Sequence, residues 1–320
     1  MRVRYAVPVA QLVLFVGVGL ALPLLPGTNF SLLITLLIFI GLATSWDILG
    51  GWTGQTSLGH AAFVGIGAYA LALGTNRLGL DAISAVQLGM GVAALFALLW
   101  GSITFGLRGS YFTLSTIAIA EILRLVAIDE GWFTGGSAGL FISALPEPFG
   151  LDLFDRQVEY YLALLYATGV LACVTWFSGS HFGYTVRAVR EDEAAAQASG
   201  IDPVRIKLRA FALSGALTAL GGGIYGAYLS FLDPHNLFFL PLSVQIALTA
   251  IIGGRGTVWG PALGATLLIL AAEVFRSVFA EANLLIYGLL ILIITLFVPR
   301  GLLGGLERYL LRRRYVRDQQ

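Results

Sequence analysis

Apolar stretches of membrane-crossing length recur along this whole chain, and few folds other than a helical membrane bundle can absorb them. A helix rises 1.5 Å per residue, so about 20 apolar residues cross the ~30 Å hydrocarbon core of a bilayer. Ten such stretches are expected, near residues 6–25, 30–49, 57–75, 83–106, 110–128, 158–178, 206–231, 240–255, 258–276 and 283–299. Of 320 residues, 58% are hydrophobic and 12% are charged. A soluble domain carries roughly 25% charged residues, and half that share cannot cover a water-exposed surface of this size. The expected fold class is all-α, a polytopic membrane protein of about ten transmembrane helices forming a single domain over 1–320. The first apolar run follows Arg2 and Arg4 and has span length. It is expected to be an uncleaved first span rather than a secretory signal, since further spans follow at once.

Lysine and arginine crowd the cytoplasmic loops of membrane proteins. With the N-terminus inside, 15 of the 19 basic residues fall on the inner side, and Arg77, Arg124, Arg156 and Arg276 fall on the outer side. Both termini are therefore expected in the cytoplasm. Residues 129–157 form the main external loop, and 179–209 form the one large cytoplasmic loop. Spans two to five and seven to ten start on opposite sides of the membrane, a topology that admits an inverted repeat. A net charge of +1 supplies no field that would draw in nucleic acid. Cys173 is the single cysteine, so no internal disulfide forms, and it is read as packing.

The cytoplasmic loop reads GSHFGYTVRAVREDEAAAQASGIDPVRIKLR. Tyr184–Ser199 holds no Pro or Gly and is rich in good helix formers; Gly200 and then Asp202-Pro203 mark its end. Val186, Val189 and Ala196 alternate with Arg187, Arg190, Glu191, Asp192 and Glu193, which predicts a short helix at the membrane surface. One reading is an amphipathic helix that anchors the loop to lipid. The other is a coupling helix between spans six and seven, with Arg187, Arg190, Glu191, Ala194, Ala195 and Gly200 gripped by a cytoplasmic subunit. Alanine is poor for lipid and good for close protein contact, which favours the second. Such a subunit would supply the energy. The only lysine is Lys207, preceded by Ile206, so the chain has no phosphate-binding G-x-x-x-x-G-K-[ST] loop and no ATPase site of its own. An enzyme reading finds no nucleophile–base pair either: His60, His181, His235 and Cys173 are far apart in sequence.

Between spans two and three the sequence breaks into GGWTGQTSLGHAAF. Gly50, Gly51, Gly54 and Gly59 make a helix break there. Non-helical backbone at membrane depth must line a cavity or lie buried in protein. Gln55, Thr56, Ser57 and His60 are thus candidates for a translocation path, offering uncharged hydrogen-bonding groups. The alternative is a tight turn whose polar groups cap the next helix and whose glycines let helices touch. His60 has no Cys, His or Asp close by in sequence, so no metal is expected, and no cofactor is implied. Asp47, Glu121, Arg124 and Glu273 fall in or near spans, where charges usually face the bundle interior or a partner. Glu121 and Arg124, at i and i+3, can pair on one helix face; the alternative role is a gate or a subunit contact. Asp47, one turn before the break, either caps it or faces water. A second glycine block, GGRGTVWGPALG at 253–264, reads as a turn with Pro261 near a helix start. It carries Arg255 toward headgroups or a cytoplasmic subunit.

These blocks, taken with GSYFTLSTIAIAEILRLV, TGGSAGL, FGYTVRAVREDEAAAQASGID and LFVPRGLLG, resemble the inner-membrane permeases of branched-chain amino acid ABC transporters, the LivM type, in order and spacing over about residues 30–305. The resemblance implies about ten helices, a second permease subunit of the LivH type, two cytoplasmic ATPases and a periplasmic binding protein that delivers substrate. It implies branched-chain amino acids as cargo, with urea or short amides as the alternative within the family. The ABC permease pattern E-A-A-x-x-x-G matches Ala194 to Gly200, with Ala where Glu is usual and Glu193 one residue earlier. Apolar, small-residue-rich spans suit a neutral or zwitterionic solute and suit a multivalent anion poorly. A self-powered secondary transporter or channel is the alternative of another class.

Overall fold

The computed structural model describes residues 3–106, 110–142 and 153–278, together with 288 and 301–303. The expected tenth span at 283–299, the ALPEPFG run, most of LFVPRGLLG, and Arg2, Arg108, Arg300 and the arginines from Arg308 onward lie outside the described residues.

Helices α1 (Val3–Ala21), α2 (Phe30–Asp47), α3 (His60–Leu78), α4 (Ala82–Thr104) and α5 (Ser110–Asp129) come first. A short α6 (Gly131–Thr134) follows, then α7 (Arg156–Gly179), α8 (His181–Glu191), α9 (Glu193–Ala198) and α10 (Pro203–Leu229). The short α11 (Pro234–Leu237), α12 (Leu240–Gly254) and α13 (Gly260–Val278) complete the described set. Seven of the described helical segments are long and apolar enough to cross a membrane: those built on α2, α4, α5, α7, α10, α11–α12 and α13. The chain is thus an all-α, multi-pass membrane protein. Helix α3 is also 19 residues long, but His60, Asn76 and Arg77 at its ends lower its mean hydropathy.

Local chemistry sets the helix starts. Asn29, Asp81, Asp155, Ser180, Asp192, Asp202 and Asp233 each accept a hydrogen bond from a backbone N–H of the first turn of the helix that follows, which satisfies donors the helix cannot. The expected single helix over 184–199 is therefore two helices. It starts earlier, at His181 behind Ser180, and breaks at Asp192, whose carboxylate takes the N–H groups of Ala194 and Ala195 at 2.9 and 3.0 Å. Two two-residue strands, β1 (Leu140–Phe141) and β2 (Phe231–Leu232), pair antiparallel. They tie the segment after α5 to the end of α10.

Helix α2 is buried on every side from Leu37 to Asp47, as an all-round apolar helix should be. It packs on α7, α10, α12 and α13, while α10 packs on the α3–α4 hairpin. The α3–α10 contact is backbone on backbone: a Cβ on Gly67 would land on the Ala219 carbonyl, and one on Gly222 on the Val64 carbonyl. Small residues permit this approach where apolar burial gives little drive between helices in lipid. In contrast α4 and α5 leave Leu95, Leu99, Ile103, Leu114 and Leu125 exposed.

Candidate functional site

At one end of the bundle α2 does not stop at Asp47. It widens into a π-turn over Ile48–Trp52, a rare geometry concentrated at functional positions. The glycines make it fit. A Cβ on Gly51 would strike Asp47 Oδ1 and the Gly256 N–H, one on Gly59 would strike the Thr116 carbonyl, and Gly54 takes a φ of +75°.

The segment after the turn is held from all sides. Trp46 Nε1 donates to the Ser57 carbonyl at 2.7 Å. On α5, Thr116 Oγ1 accepts from Leu58 N at 3.0 Å and Thr113 Oγ1 donates to the Thr56 carbonyl at 2.7 Å. Ser243 on α12 accepts from Ala61 N at 2.8 Å. His60 is fully buried between Ser57 Oγ at 3.0 Å from Nδ1 and Ser214 Oγ at 2.9 Å from Nε2. Ser214 donates its own proton to the Ser45 carbonyl at 2.7 Å, so it accepts from Nε2–H, and Nδ1 accepts from Ser57. This relay stitches α2, the break, α3 and α10 together. Ser57 and His60 therefore sit in protein–protein bonds, while Gln55 and Thr56 are partly exposed.

Asp47 does cap a break, but the second one. Both its oxygens lie 2.9 Å from Gly256 N, so the buried end of α2 holds the turn between α12 and α13. Both glycine blocks also meet α8. A Cβ on Gly54 would lie 3.3 Å from Arg190 Cγ, and one on Gly256 would lie 2.6 Å from Arg190 Nη1. The Arg187 guanidinium stacks 5.0 Å from the Trp52 ring and 4.9 Å from that of Tyr184, and bonds the Ser178 carbonyl. Val186 is buried in a cluster with Ile48, Trp52, Val174 and Phe177, and Val189 is buried one turn on. The apolar face of α8 is thus spent on its own bundle rather than on lipid.

The next helix behaves differently. On α9 and its flanks Glu191, Ala194, Ala195 and Gly200 are exposed, and only Ala196 turns inward. Gly200 has φ +82°, and a Cβ there would meet nothing within 4 Å. Glu193 reaches back to buried Lys207 on α10 at 2.7 Å, an inward bond that sequence alone did not reveal. Ser45, Ser214, Ser243 and Thr116 were likewise missed; their only signal was a hydroxyl within an apolar span.

The remaining charges pair locally. Glu121 and Arg124 meet at 2.5 and 2.9 Å, with His235 Nδ1 3.2 Å from Arg124 Nη1. Glu273 meets Arg276 at 2.7 Å. At this bundle end α8 grips a broken span, and a buried carboxylate links that span to a second hairpin.

Comparison with known proteins gives this geometry a context. Residues 28–295 match the sequence family described as "Branched-chain amino acid transport system / permease component". The chain is 31% identical over 292 residues, spanning 83% of its length and 68% of the relative's, to the high-affinity branched-chain amino acid transport system permease protein LivM of Salmonella typhimurium. It is 26% identical over 205 residues, 62% of each chain, to the corresponding LivH of the same organism. It is 28% identical over 252 residues, 73% of this chain and 69% of the other, to the autoinducer 2 import system permease protein LsrC of Yersinia pseudotuberculosis.

Proposed function

This chain belongs to the family of branched-chain amino acid transport system permease components, and on that premise we propose that it is the transmembrane subunit of an ABC importer. It passes branched-chain amino acids from a periplasmic binding protein to the cytoplasm, beside a second permease of the LivH type and above two separate ATPases. The proposed setting is the inner membrane, with about ten spans and both termini cytoplasmic. That orientation puts α8, α9 and both glycine blocks on the cytoplasmic side.

The observation that carries this reading is the grip of α8 on the π-turn of α2, with α9 left bare beside it. A helix held by its own bundle through Val186, Val189, Arg187 and Arg190 moves with that bundle, and the exposed Ala194, Ala195 and Gly200 offer a small-residue surface to a motor. Force applied there reaches α2 through Trp52, and the α12–α13 turn through Asp47 and Gly256. Ser57 and His60 hold the frame, and Gln55 and Thr56 remain the residues of that stretch open to a departing solute. Helix packing also supports an inverted repeat: α10 sits on the α3–α4 hairpin as α2 sits on α12–α13. Similarity to LsrC keeps a different small neutral solute as the second reading.

The test is uptake by proteoliposomes holding this chain with its co-purified partners. Leucine accumulation should need ATP hydrolysis and should persist when the proton gradient is collapsed. Uphill transport by the isolated chain without ATP would overturn the reading. Replacing Ala195 with Trp should leave insertion and thermal stability intact while cutting uptake and ATPase stimulation together by at least tenfold.

A further inference from the structure

At the end of the bundle away from α8, where α4 and α7 begin and α10 ends, these helices, with Ile34 of α2 and Leu71 of α3, line a half-open cavity of about 580 Å³. Its walls are aliphatic, with Ile83 and Val86 from α4, Leu162 from α7 and Ile224 from α10. Gly169 on α7 forms part of the wall, and a Cβ there would meet nothing within 4 Å. Gln87 and Tyr166 also line it, and one corner is charged. Glu159 lines the cavity with only 6% of its side chain exposed and pairs with Arg156 Nη1 at 2.9 Å. The Arg156 guanidinium stands 5.2 Å from the centre of the Tyr228 ring, another lining residue, and keeps 55% of its side chain exposed.

We propose that this cavity is an outer-half subsite for a small aliphatic zwitterion, which deepens the import reading and rests on it. An aliphatic side chain fits against Val86, Leu162 and Ile224. The ammonium group goes to the Glu159 carboxylate, and the α-carboxylate goes to the guanidinium of Arg156. An amino acid leaving water needs partners for both charges, because an unpaired buried charge is prohibitively costly. A fixed acid–base pair three residues apart on one helix face supplies both at the spacing of the solute's own two groups, as charge-assisted hydrogen bonds. The stack on Tyr228 keeps the guanidinium at the mouth.

The assembled transporter in proteoliposomes tests this with a diazirine-bearing leucine analogue as photoprobe. Photolysis of the wild-type complex should label peptides of α4, α7 and α10 that line the cavity, and excess leucine should block labelling. Gly169→Phe, which fills the space, should lower leucine uptake at least tenfold. Gly91→Phe on α4, where a Cβ also meets nothing within 4 Å, should leave uptake unchanged. Glu159→Gln and Arg156→Gln should each weaken photolabelling severalfold, and Arg156→Lys should restore part of it. A wild-type complex that imports leucine, is labelled elsewhere and tolerates Gly169→Phe sinks the subsite alone. The same holds if Gly169→Phe sheds a co-purified phospholipid while uptake stays intact. A complex labelled in this cavity that imports no leucine keeps the subsite and sinks the import reading.

Discussion

The two ends of this bundle solve opposite problems. At the α8 end Trp46, Ser57, His60, Ser214 and Thr116 are all hydrogen-bonded around the glycine break, and Gly51 and Gly59 have no room for a methyl group. At the other end Gly169 borders open space, the walls are largely aliphatic, and Glu159 is buried beside a mouth. The tight end can transmit displacement, because close-packed groups have discrete arrangements rather than a continuum. The open end can hold a solute. A permease needs both, and needs them at different depths.

The sharpest way to break this contrast is Gly51→Ala. Its Cβ falls on Asp47 Oδ1 and on the backbone of Gly256, neither of which can move without undoing the other, so a loss of about 3 kcal/mol is expected, read from thermal unfolding in detergent. A loss under about 1 kcal/mol would mean that the junction is looser than its geometry states. Asp47→Ala comes next, at about 2 kcal/mol, because the part-buried Gly256 N–H loses its acceptor; protease sensitivity between α12 and α13 should rise with it. His60→Leu removes both hydroxyl bridges at similar volume and should cost about 1 kcal/mol, the scale of interhelical hydrogen bonds in membranes. A large uptake defect at unchanged stability would move His60 from frame to path. Smallest, and of opposite sign, is Gly169→Ala: with nothing within 4 Å of the new methyl, helix propensity alone should raise stability by up to about 1 kcal/mol.

Much of this architecture was readable beforehand. The nine described long helices fall within a few residues of the expected spans, because uninterrupted apolar runs leave the backbone no alternative to helix in lipid. Of the four glycines of the first block, Gly50 and Gly51 fall within the π-turn and Gly54 and Gly59 in the stretch that follows it. The split at Asp192 was not legible from the absence of Pro and Gly, since an N-cap acts through one side chain and leaves composition unchanged. Most of 184–199 does turn helical, as α8 and α9, but the apolar face of α8 was destined for Ile48 and Trp52, which lie more than a hundred residues away in sequence. Asp47 was expected either to cap the first break or to face water, and it instead holds Gly256 of the second block: a carboxylate's range is a distance in space, and sequence offers only neighbours along the chain.

The residues by themselves determined that the chain crosses a membrane many times, that it resembles a permease, and that it carries no phosphate-binding loop with which to power itself. These follow from hydropathy and from local motifs, which act over a turn or two of helix. Which hydroxyl meets His60, which carboxylate holds Gly256, and why Arg190 touches both glycine blocks were decided only by the packing of α2 against α10, α12 and α13. Those contacts join segments up to about two hundred residues apart, and their energy comes from the close fit of surfaces that no stretch of the chain contains alone.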